Sequence, residues 1–190
     1  PKIMAHYSQE QFALICANHL EANNVNFNKY NVLDVGSYDL NGNLRKFFPK
    51  NDYTGIDLVN GPNVDLILKG EELETLNKKF NIAISCEVFE HAKNWDKIFQ
   101  SMFNVLKDEG VLIFTCASQG RLEHGTLRTN PGESPGTMSD YYRNLNKKDF
   151  TIRFDLKTMF DQHYFYYNYY SLDLCFIGIK SKKLIKLDLD

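Results

Sequence analysis

Two carboxylates set at the ends of short apolar runs are where this sequence is best equipped for chemistry. In NVLDVGSYDLNG, residues 31–42, the β-prone residues Val32, Leu33 and Val35 carry Asp34 up to Gly36, which is free to take positive φ or a close backbone approach. In YTGIDLV, residues 53–59, a second run ends at Asp57, 21 residues beyond Gly36. A carboxylate about 20 residues after a glycine turn, at the end of a second strand, accepts hydrogen bonds from the ribose hydroxyls of a nucleotide-like ligand. The alternative is that Asp57 opens the loop containing Asn60, Gly61 and Pro62, a common use of Asp. The first turn does not fit the dinucleotide fingerprint G-x-G-x-x-G, because Tyr38 holds the second glycine position, so a tight pyrophosphate cradle is not predicted.

Further along, His91 and His124 are the neutral bases available if a proton must be removed, and Arg143 offers forked donors for an anionic or polar group. A lone histidine is as readily structural, and Asp140 could simply pair with Arg143 at the surface. The four cysteines, Cys16, Cys86, Cys116 and Cys175, show no CxxC spacing and read as buried thiols of a reducing cytosol. No metal site is predicted, since no ligand motif precedes His91.

The elements that must position these groups follow a βα succession. Ser8 with Gln11 forms a capping-box pattern for a helix over 8–23, whose stripe is Phe12, Ile15, Cys16 and Leu20. The LRKFF stretch after Gly42 looks helical, 63–68 is a short third strand, and 71–79 is a helix. Ile82 to Ser85 form a buried strand; after Asn94 as cap, Trp95, Ile98, Phe99, Met102, Phe103, Val105 and Leu106 recur at helical spacing, with Lys107 and Gly110 as the stop. Residues 111–115 make another buried strand. In 118–146 the regular pattern gives way to Gly, Pro, Ser and Thr, a long irregular stretch of the kind that covers a binding site or is disordered. A helix over 147–160 and two closing strands from HYFYYNYYSLDLCFIGIK complete the succession, with Tyr164, Tyr166, Tyr167, Tyr169 and Tyr170 either lining a pocket or packing the sheet. KSKKLIKLDLD at the end reads as a solvated terminus.

With Asp34 just before the glycine turn, the first segment resembles motif I of class I S-adenosylmethionine-dependent methyltransferases, of the small-molecule, type 11-like kind. Residues 80–118 are similar to the family stretch FDxxxxxEVxEHxxxxxxxLxxxxxxLKPGGxLxxxxP: Glu87, Val88, Glu90, His91, Leu106, Lys107 and Gly110 match, while Asp108 and Glu109 replace Pro-Gly. The DYYR at 140–143 resembles an element found after the sheet core in small-molecule and sugar-type members. The resemblance implies a Rossmann-like three-layer α/β/α fold with a mostly parallel seven-stranded sheet and an antiparallel final strand. It implies S-adenosylmethionine as cofactor, S-adenosylhomocysteine as product and a small-molecule acceptor, a sugar or another hydroxyl or carboxylate metabolite. The cofactor residues it implies are Asp34, Val35, Gly36, Ser37, Tyr38, Asp57, Leu58, Ser85, Cys86 and Glu87. Lys69 stands where an acidic adenine neighbour often does, leaving adenine to backbone groups or Glu71.

Length fits a single domain over 1–190, with 118–146 as a substrate-covering loop. A net charge of −2 argues against a broad nucleic-acid footprint, and neither a long apolar run nor a signal-peptide pattern is present, so a cytoplasmic protein without membrane attachment is expected. Two rival readings stay open: a cofactor-binding or interaction domain without turnover, and a nicotinamide-dependent oxidoreductase. The oligomeric state is left open.

Overall fold

A computed structural model describes residues 2–40, 42–137 and 139–182, with side chains from Tyr7 onward. Most of the basic and acidic tail, 183–190, lies outside the described residues, as does Asn41 in the first turn.

Seven strands form one sheet: β1 (Asn31–Val35), β2 (Asp52–Asp57), β3 (Leu66–Ile67), β4 (Phe80–Cys86), β5 (Leu106–Ala117), β6 (Phe160–Asn168) and β7 (Asp173–Lys180). Their order is β3-β2-β1-β4-β5-β7-β6. The first five are parallel, and β7 runs antiparallel to both neighbours. Chain order reverses between β1 and β4, and in such sheets the ligand crevice opens there, at the carboxyl ends of the strands.

The central strands are apolar on both faces, as helices on both sides require. Val32, Ile82, Ile84, Val111 and Ile113 point to one face, where helix α1 (Lys2–Asn23) seats Ala13, Cys16, Ala17 and Leu20. Leu33, Val35, Ala83, Leu112 and Phe114 point to the other, where α2 (Trp95–Asn104), α3 (Lys147–Arg153) and α4 (Leu156–Met159) pack. There Phe114 is stacked between Phe150 at 4.7 Å and Phe176 at 5.1 Å. The fold is thus the α/β arrangement expected, with thinner helical layers.

Several elements differ from expectation for identifiable reasons. Helix α1 begins at Lys2, so Ser8 lies inside it; Cys16 and Leu20 of the expected stripe are buried and Phe12 packs beside them, but Ala13 and Ala17 complete the buried face while Ile15 is 63% exposed. LRKFF yields only a 3-10 turn, Arg45–Phe47, because Phe48 precedes Pro49 and takes a non-helical backbone. The expected 71–79 helix is a kinked 3-10 stretch, Gly70–Leu76, ended by Asn77 in the left-handed region. Helix α2 stops at Asn104, and 107–110 form a bulge in β5, since Phe80 pairs with Leu106 but Ile82 with Val111. Glu109, at φ +61, makes that bend. Asn94 precedes α2 without a side-chain cap bond and donates to Glu71 Oε1 instead. The 147–160 helix is split in two, with Asp155 capping the second piece through Thr158 N.

Candidate active site

At the carboxyl ends of β1, β2 and β4 lies a cleft of about 690 Å³. Its first wall is the turn after β1. Gly36 has φ +83, and a Cβ there would fall 2.1 Å from Val88 Cγ2, so both backbone conformation and space require glycine. Gly36 N and Ser37 N donate to Ile56 O, which ties the turn to β2.

Asp34 and Asp57, both expected at the cofactor, both line the cleft and are differently employed. Asp34 is buried and accepts from Tyr53 Oη at 2.6 Å, a clamp between β1 and β2. Burial pushes its carboxyl up to about 7, against the lowering effect of that hydrogen bond. Asp57 stands at the end of β2 in the cleft wall, accepting from Tyr38 N at 3.1 Å and Leu58 N at 2.7 Å. A carboxylate has lone pairs beyond those two bonds, so it can still accept from a ligand. Val35, Gly36, Ser37, Tyr38, Leu58, Glu71, Cys86 and Glu87 also line the cleft. Ser85 does not; it is buried and donates to Val35 O at 2.8 Å, joining β4 to β1. Cys116, in the strand beside Cys86, belongs to the core, and all four cysteines are free.

The far wall comes from chain that had no regular pattern. Among the described residues, segment 118–146 is irregular apart from an isolated bridge between Thr126 and Thr129 and a 3-10 turn, Pro131–Glu133, and its residues 133–137 and 139–141 line the cleft. His91 lines it too, whereas His124 stands behind, its ring 4.9 Å from that of His91. Tyr142 packs on both rings, at 5.4 Å and 5.1 Å. Burial, with His124 and Arg121 nearby, holds His91 below the ordinary imidazole range, so it is neutral at neutral pH.

Arg143 is placed away from the cleft. Its guanidinium pairs with Asp149, whose carboxylate also completes the capping box of α3, and its amide donates to Glu90 O. Asp140 accepts from Arg128 N and makes no pair with Arg143. The closing tyrosines do not reach the cleft either: Tyr164 and Tyr166 point outward from edge strand β6, and Tyr167 accepts from Lys147 N.

Three sets of residues escaped the sequence reading. Gln9 and Glu10 bring α1 to the cleft, consistent with a helix that both packs and covers. Arg121 bridges Glu87 at 3.2 Å and Asp173 at 2.7 Å beneath the floor. Burial, with Glu90 and Asp173 close by, holds the Glu87 carboxyl well above its usual range. Finally, Glu90, His91 and His124 approach one another although His124 lies 33 residues beyond His91. A signal existed only for the first two, in EVFEH.

A family model described as a methyltransferase domain matches residues 4–163. The chain belongs to that family, and its fold is that of the class I S-adenosylmethionine-dependent methyltransferases. The cofactor of that class is S-adenosylmethionine, and S-adenosylhomocysteine is its product. The plantazolicin methyltransferase BamL, solved with the product cofactor and a triazolic desmethyl analogue, is 16% identical with a TM-score of 0.64 over 95% of this chain and 89% of that one. An S-adenosylmethionine-dependent methyltransferase from Clostridium acetobutylicum is 15% identical with a TM-score of 0.60, over 90% of each chain. The CurJ carbon methyltransferase is 13% identical with a TM-score of 0.57 over 81% of this chain, which spans only 49% of that protein. No curated protein matches this sequence.

The residues of the cleft fit that cofactor. A glycine turn that no Cβ could occupy and a strand-end carboxylate with free acceptor capacity face the same space.

Proposed function

We propose that this chain is one methyltransferase domain that moves the methyl group of S-adenosylmethionine to a small acceptor, with 118–146 covering the acceptor. One observation carries the reading: a single cleft is lined by the Gly36 turn, Asp57, His91 and residues 133–137 and 139–141. Asp57 would take the ribose hydroxyls, the turn 36–38 would run past the cofactor, and 69–71 would flank adenine.

Transfer from a sulfonium is an in-line displacement at an already activated carbon. What the protein must supply is alignment and exclusion of water. The α1 residues Gln9 and Glu10 and the covering segment enclose the cleft from the solvent side, in keeping with that need.

The acceptor class favoured is a hydroxyl- or carboxylate-bearing metabolite, sugars included. Support comes from the His91–His124 pair: a neutral imidazole edge at the cleft wall gives the proton of a hydroxyl somewhere to go. Four free cysteines accord with a reducing, cytoplasmic setting. Among the described residues no helix is long and apolar enough to cross a membrane.

The test is incubation with methyl-labelled cofactor and a mixture of sugars, hydroxy acids and amines. Label on an oxygen is the result expected. Label on nitrogen alone contradicts the acceptor class, and tight product binding without any transfer contradicts turnover.

A further inference from the structure

The three residues Glu90, His91 and His124 each bring one ligand atom within 4.8 Å of the other two, and we propose that they hold a divalent cation beside the cleft. Two buried orphan atoms belong to residues of this cluster. Glu90 is fully buried; its Oε1 accepts from Ala117 N at 3.1 Å, while its Oε2 is buried without a partner among the described residues. His91 is 8% exposed, and its Nδ1 is likewise buried and unpaired. That nitrogen faces the segment carrying His124: a Cβ at Gly125 would stand 3.4 Å from it. A protein interior that leaves a carboxylate oxygen and an imidazole nitrogen without donors or acceptors is built for something that supplies the missing contact.

The surroundings favour a cation. Glu87 and Asp173 take up the guanidinium of Arg121, so the Glu90 carboxylate beside them has no ion-pair partner of its own among the described residues. Outer contacts already orient the ligands. The Nδ1 of His124 lies 3.0 Å from Leu122 O, and donation there leaves Nε2 with a free lone pair, the arrangement usual for metal-bound histidine. Tyr142 fixes both rings by edge contacts and donates to the same Leu122 carbonyl at 3.2 Å.

Two imidazoles and one carboxylate suit Zn²⁺, Co²⁺ or Fe²⁺ better than Mg²⁺, which prefers oxygen ligands. Ligands about 2.0–2.2 Å from a common zinc stand up to about 4.4 Å apart, a spacing compatible with the one these three atoms have. His124 is the outermost member, partly exposed in irregular chain. Three protein ligands leave a coordination position open, and His91 sets it at the cleft. On the reading that a small acceptor is methylated, that position takes the acceptor's oxygen, and with the imidazole lone pairs on the cation it is the cation, in place of His91, that would ease loss of the hydroxyl proton; this role rests on the proposed function, whereas the cation site does not.

Titration of Co²⁺ into the metal-stripped full chain tests the site by its visible d–d absorption. One equivalent of uptake, displaced by Zn²⁺, is expected, with loss of the signal in His91→Ala and at least tenfold weaker binding in His124→Ala, the far-ultraviolet dichroism of both variants matching the parent. Titration of the same samples with S-adenosylhomocysteine separates the two proposals: cobalt bound with no cofactor bound overturns the function but not the site. Absence of stoichiometric cobalt uptake, or uptake indifferent to both substitutions, overturns the site.

Discussion

Gly136 lies against Asp57: a Cβ added at Gly136 would stand 3.2 Å from Asp57 Oδ1 and 3.0 Å from Leu58 Cβ. The covering segment therefore touches the carboxylate proposed to hold ribose, as well as the opposite end of the cleft near His91. A ligand bound at Asp57 also meets this stretch.

Amide hydrogen exchange across 133–141 should slow when S-adenosylhomocysteine binds, and slow further with an acceptor present. The same exchange rates with and without the cofactor would remove the covering role.

Gly36→Ala tests the turn. Left-handed backbone costs a non-glycine residue about 1–2 kcal/mol, and the 2.1 Å approach to Val88 Cγ2 adds a clash. Denaturant unfolding should show the single variant destabilised, and Val88→Ala in the same chain should recover only the clash. Full recovery would mean that φ +83 is not required.

Asp34 predicts a pH dependence. Its folded-state value of about 7 lies above the ordinary 3.8, so the native chain keeps a proton that the unfolded chain releases. The stability this contributes is full below 3.8, is lost as the pH rises toward 7, and does not change further above it. Asp34→Asn keeps an acceptor for Tyr53 Oη but cannot titrate, so its melting temperature should fall less across that window than that of the parent. Parallel profiles would refute the assignment.

Arg143→Ala should leave S-adenosylhomocysteine affinity intact, because the guanidinium pairs with Asp149 away from the cleft. Asp149 is buried beside an exposed guanidinium, so the variant should lose stability at α3 by denaturant unfolding, the carboxylate keeping only its capping-box contacts. A strong fall in acceptor affinity instead would return Arg143 to the site.

Asp34, Gly36 and Asp57 were legible because each is fixed by a few neighbours in a strand and its turn. Local patterns misled where fit between elements decides. The stripe of α1 was expected to include Ile15, but Ala13, Cys16 and Ala17 let the helix lie close on Val32 and Ile84, and Ile15 faces outward. The stop at Gly110 was misplaced because pairing of Leu106 with Phe80 draws the chain into β5 early. The meeting of Glu90, His91 and His124 could not be read at all, since only the return of 118–146 over the sheet edge brings His124 back.

The central claim, that this cleft is a cofactor site with Asp57 at the ribose end, is tested most directly by calorimetric titration of S-adenosylhomocysteine into the parent chain and Asp57→Ala. Hydrogen bonds to a charged group contribute about 1.5–3 kcal/mol each, so the variant should bind roughly ten- to a hundredfold more weakly while its far-ultraviolet dichroism is unchanged. An equal dissociation constant in a folded Asp57→Ala chain, or no binding to the parent, would contradict the account.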